Sequence, residues 1–96
     1  MIAQTGTGRT DRVVLLGAHL DSVAEGPGIE DNGTGSATLL ETALQVAKLG
    51  IEPRNSIRFA WWGAEEANLV GSTFYVNSLT EAERAKIGSA SCRERV

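Results

Sequence analysis

Two short runs of β-branched, aliphatic and aromatic residues, a helical repeat of apolar positions between them and further helical segments after them predict an α/β fold. The order is strand, helix, strand, helix. A helical crossover of this kind joins neighbouring strands that run parallel, and such sheets bind their ligands outside the carboxyl ends of the strands.

The first strand is Val13-Val14-Leu15-Leu16-Gly17-Ala18, an aliphatic run behind the polar stretch Gly6 to Arg12, with His19 at its C-terminal end. Residues 22–35 carry four glycines and one proline without an apolar period, and read as a loop. From about Ser36 to Leu49 the residues Ala37, Leu40, Ala43, Leu44 and Ala47 recur at three- and four-residue spacing, which predicts a helix with that face on a sheet. Gly50, with Pro53 beyond it, is placed to stop this helix. Ser56 to Trp62 is the second strand, rich in strand-favouring residues and ending at Gly63-Ala64-Glu65-Glu66. Leu69 to Asn77 makes a short helix with Val70 and Phe74 one turn apart, and Thr80 with Glu83 forms a capping box for a last one.

Composition excludes some partners. The nine Lys and Arg are scattered and the formal net charge is −3, so the basic stripe of a nucleic-acid binder is missing. No apolar run approaches the ~20 residues that span a bilayer, and Met1 to Thr5 lacks the basic start and apolar stretch of a signal peptide. Gly33-Thr34-Gly35-Ser36 precedes a helix but has no Lys-Ser/Thr ending and follows the acidic pair Glu30-Asp31, so it reads as a tight turn beside a ligand and not as a phosphate loop. Trp61 and Trp62 read as strand packing, since no basic groove accompanies them.

The groups able to do chemistry gather at the strand ends and the loop between them: His19, Asp21, Asp31, Glu65 and Glu66. Imidazole nitrogen and carboxylate oxygen are zinc ligands, and a catalytic zinc keeps one position open. Asp21, two residues after His19, can return to the imidazole's other N–H and fix its tautomer. Adjacent glutamates leaving a strand diverge, so one can bind metal while the other faces water as a general base. Spacing alone does not say which.

The segments Gly17-Ala18-His19-Leu20-Asp21-Ser22, Gly28-Ile29-Glu30-Asp31-Asn32-Gly33-Thr34-Gly35, Trp62-Gly63-Ala64-Glu65-Glu66 and Gly71-Ser72, in order and correctly spaced, resemble the co-catalytic dizinc aminopeptidases of the bacterial leucyl aminopeptidase type. The likeness runs from about Ile2 to Ile87. It implies a mixed β-sheet flanked by helices, peptide substrates, a secreted or periplasmic location, and removal of N-terminal residues through two zinc ions and a bridging water. It assigns His19 to one zinc, Asp31 to both, Glu66 to the other, Glu65 to the general base and Asp21 to the support of His19. Two further ligands of such enzymes, an aspartate and a histidine, have no counterpart, because no Asp or His follows Glu66. The resemblance thus implies residues 1–87 to be part of a zinc peptidase catalytic domain, inactive alone. A same-fold carboxypeptidase or amidohydrolase, or a non-catalytic receptor-type domain, is the alternative. Residues 88–96, which hold the lone Cys92, resemble translated adapter sequence and are expected to be a non-native tail without function.

Overall fold

Val13 to Ala18 form the inner part of a strand longer than the apolar run that marks it, β2 (Arg9–His19), in a computed structural model that describes residues 1–92. Its polar half, Arg9 to Arg12, is exposed. Ser56 to Trp62 lie in β3 (Asn55–Trp62), which pairs parallel with β2 in the register Leu15↔Arg58, Gly17↔Ala60 and His19↔Trp62. The predicted parallel neighbours are therefore present, and they end level with each other at His19 and Trp62.

Two strands escape the sequence reading. The exposed segment β1 (Ile2–Gln4) pairs antiparallel with β3, and β4 (Ile87–Cys92) pairs parallel with β2, giving a mixed sheet in the order β1-β3-β2-β4. Three residues are too few to show a period, and Gly88-Ser89-Ala90-Ser91 has little strand propensity. Within the described residues the tail is thus part of the sheet, while residues 93–96 of the expected tail lie outside them.

Helix α1 (Gly35–Lys48) crosses from β2 to β3 over one sheet face. It ends as predicted at Gly50, whose φ of 61° lets its N–H reach Ala47 O and the N–H of Ile51 reach Val46 O, the paired bonds of a Schellman motif. Its packed face differs from the predicted one. Leu39 is buried and Ala43 packs beside it against Ala18, Phe59 and Trp61, whereas Leu40 and Leu44 are 49% and 54% exposed. The apolar stripe is broad enough for either orientation. The helix start decides, because the Ser36 hydroxyl donates to His19 O at 2.8 Å and the Trp61 indole N–H donates to Ser36 O at 3.2 Å, locking the rotation of the first turn. Leu39→Ala should then cost ~2–5 kcal/mol of stability, and Leu40→Ala well under half of that, by chemical denaturation of the folded domain. Equal losses would restore the predicted face.

The opposite sheet face packs Leu15, Ala60 and Trp62 against Tyr75 and Ile87. Tyr75 comes from α2 (Val70–Ser78), its ring 5.2 Å from that of Trp62, and its hydroxyl accepts a 2.7 Å bond from Arg58. Both tryptophans are buried, as strand packing requires. Thr80 and Glu83 make the expected capping box on α3 (Glu81–Ala85), and their mutual bonds hold the Glu83 carboxyl below its ordinary range.

Candidate metal centre

His19 closes β2 with its side chain buried, and its two ring nitrogens face different ways. Nδ1 lies 3.0 Å from the main-chain oxygen of Asp21. A carbonyl can only accept, so the ring N–H sits on Nδ1 and the lone pair of a neutral ring on Nε2. Nε2 in turn lies 3.0 Å from Asp31 Oδ1 and 3.4 Å from Glu65 Oε2. Burial disfavours the charged imidazole, yet the Asp21 carbonyl and the carboxylates of Glu65 and Asp31 outweigh it and raise the His19 pKa.

Asp31 arrives from the loop between β2 and α1. Gly33 N–H donates to Gly28 O at 2.8 Å, and Asp31 and Asn32 leave helical geometry across a cis peptide bond. Asn32, the next residue, is buried. Residues 22–28 keep the predicted loop, and Ile29–Thr34 tighten into a kinked helical turn that runs into α1.

Glu65 and Glu66 leave β3 in a loop closed by a short ladder: Leu69 N–H to Glu65 O at 2.9 Å, Val70 N–H to Ala64 O at 3.0 Å and Gly71 N–H to Gly63 O at 3.1 Å. Ala64, Asn68 and Leu69 take positive φ of 54°, 72° and 60° within it, an arrangement that residues with a Cβ adopt at a cost. Gly71 permits the closure. A Cβ there would run into the Gly63 carbonyl oxygen and stand 2.9 Å from Gly63 N, backbone atoms that cannot swing aside. This gives the Gly71-Ser72 motif a physical reason that sequence alone did not supply. Gly71→Ala is expected to open the loop, costing ~1–3 kcal/mol of stability by thermal or chemical denaturation. A variant as stable as the parent would show that the two backbones can separate freely.

One ligand atom each from His19, Asp31 and Glu66 lie within 4.8 Å of one another, so the strand ends bring the predicted set together. Glu65 joins the same cluster through Nε2 of His19. Facing carboxylates and a ring lone pair call for a positive charge between them, which a proton on His19 or a metal ion satisfies, and the donors are those zinc prefers. Asp21 has a second set of partners. Its carboxylate Oδ1 is 3.5 Å from Nδ1, while Oδ1 and Oδ2 accept the backbone N–H groups of Glu65 at 2.9 Å and Glu66 at 3.0 Å. Burial raises the Asp21 pKa, but those two bonds overcome it and the net shift is downward.

Comparison with known proteins places this arrangement. The model of Peptidase family M28 matches residues 1–90. The chain belongs to peptidase family M28. Within the family it is 59% identical over 87 residues to an aminopeptidase of Pseudomonas aeruginosa, covering 91% of this chain and 16% of that protein. It is 60% identical over 81 residues to the "Probable lipoprotein aminopeptidase LpqL" of Mycobacterium tuberculosis, covering 82% of this chain and 16% of that protein. The solved zinc aminopeptidase of Bacillus subtilis superposes on 99% of this M28 chain with a TM-score of 0.89 at 33% identity, using 23% of its own length. This chain therefore spans about a sixth of the length of those two curated relatives. An apolar cleft of about 440 Å³ between β1 and α1, lined by Thr5, Ala43, Val46, Ile51 and Phe59 among others, includes none of the cluster residues. No helix among the described residues is long and apolar enough to cross a membrane.

Proposed function

We propose that the protein carrying this sequence is a zinc aminopeptidase, acting outside the cytoplasm, in which this chain supplies the general base and three of the metal-binding side chains. The observation that carries the reading is the convergence of His19, Asp31 and Glu66 at the strand ends of an M28 chain. The names of the Pseudomonas and Bacillus relatives support the reaction and the metal, and the name of the Mycobacterium relative supports the location.

In this reading His19 Nε2 would hold one zinc ion and Glu66 the other, and Asp31 would be shared by both. Bound zinc would supply Lewis-acid polarisation of the first peptide carbonyl and would acidify the attacking water. Glu65, largely shielded from solvent and facing the cluster, takes the proton from that water and returns it to the leaving amine. The Asp21 carbonyl holds the proton of His19 on Nδ1 and so keeps Nε2 free to coordinate.

A chain of the relatives' full length carrying this sequence should release the N-terminal residue of short peptides, stop when a chelator is added and resume when zinc is returned. Product released from the C-terminus would assign a different exopeptidase, and turnover indifferent to the chelator would remove the metal from the mechanism.

A further inference from the structure

We infer that Asp21 is a positioning residue for the Glu65-Glu66 pair, its carboxylate fixing the backbone from which both glutamates project, while its main-chain carbonyl accepts the Nδ1 proton of His19. The inference rests on the proposed roles of those glutamates.

The imidazole has one hydrogen on Nδ1. The main-chain oxygen of Asp21 takes it at 3.0 Å, and the carboxylate stands farther off, at 3.5 Å. The carboxylate is instead spent on two adjacent amides, Oδ1 on Glu65 N–H at 2.9 Å and Oδ2 on Glu66 N–H at 3.0 Å. Successive N–H groups pointing one way form a concavity for an anion, and here a side chain from the neighbouring strand end fills it. Both bonds are charge-assisted, the stronger class.

They also act where the loop needs them. The turn at Ala64 has a positive φ of 54°, and the ladder from Leu69, Val70 and Gly71 uses the carbonyls of Glu65, Ala64 and Gly63, not the amides of Glu65 and Glu66. Asp21 supplies the tie for the amides. One residue thus sets the metal ligand His19 by its main chain and the base and second ligand by its side chain, linking the ends of β2 and β3 across the cluster. A reacting group displaced by about an ångström loses on the order of 10²-fold in rate, so the tie matters to turnover.

The test is a double-mutant cycle in the full-length enzyme with zinc in excess. Asp21→Asn keeps the shape but turns an NH2 group toward one of the two amides. It should lower kcat by ~10–100-fold with KM nearly unchanged and zinc content equal to that of the parent. In the Glu65→Gln background the same change should cost little more, because its effect passes through Glu65. Losses that multiply, or zinc lost as in a His19 variant, would overturn the inference and return the carboxylate to the imidazole. Should Asp21→Asn fail to fold, hydrogen exchange of the parent decides: slow amides at Glu65 and Glu66 support the tie, and exchange at the rate of an exposed loop refutes it. Full activity in Glu65→Gln alone would instead sink the general-base assignment, with the amide exchange still judging Asp21.

Discussion

Glu65→Gln in the full-length enzyme is expected to lower turnover by at least the ~10²–10⁴-fold of a lost general base, with zinc content unchanged. The amide keeps the size of the carboxylate but cannot accept the proton, and the backbone N–H of Glu65 still meets Asp21. Substrate binding should survive, so the loss appears in kcat and not in KM. Glu66→Gln is the control that gives the result meaning. It weakens a proposed zinc ligand, so its defect should be relieved in part by added zinc. The two glutamates are neighbours in one cluster, with Glu65 Oε2 3.4 Å from His19 Nε2 and a Glu66 oxygen within 4.8 Å of the His19 and Asp31 ligand atoms. Proximity alone does not rank them. Zinc lost from Glu65→Gln and kept by Glu66→Gln would reverse the roles.

Asp31→Ala should remove more than either glutamate variant removes from metal binding, because Asp31 is proposed to serve both ions. Loss of a supporting group around a metal ligand already costs ~10–100-fold in affinity, and a shared ligand should cost at least that for each ion. Zinc content after dialysis should fall toward zero and activity with it, and added zinc should restore little. Glu30→Ala, one residue away and exposed, is expected to leave both unchanged. If Asp31→Ala retained one full equivalent of zinc, Asp31 would be a ligand to a single ion.

The contrast among these residues shows what the sequence made legible. The apolar runs at residues 13–18 and 56–62 announced two parallel strands, and the glycine-rich segments at their ends announced where chemistry would sit. Hydrophobic pattern and turn chemistry are local, and both are written in neighbouring residues. Beyond that one strand pair, contacts made at long range stayed hidden. Ile2 to Gln4 become a strand only because β3 offers an edge, and Leu39 is chosen over Leu40 because Ser36 and Trp61 fix the helix start from outside it. The same holds within the site. His19, Asp31, Glu65 and Glu66 could be named from residue type and spacing, but the amides that Asp21 serves lie 44 and 45 residues away. Gly71 likewise had no visible reason until its backbone met that of Gly63.

The central claim is that His19, Asp31 and Glu66 bind metal while Glu65 does not. Anomalous diffraction at the zinc edge from crystals of the full-length enzyme tests it most directly. The account predicts two zinc peaks, with His19 Nε2 at ~2.0–2.1 Å from one, Glu66 oxygen at ~2.0–2.2 Å from the other, an Asp31 oxygen on each, and Glu65 bonded to neither. Peaks elsewhere in the molecule, or a peak coordinated by Glu65 with Glu66 turned to solvent, would contradict it.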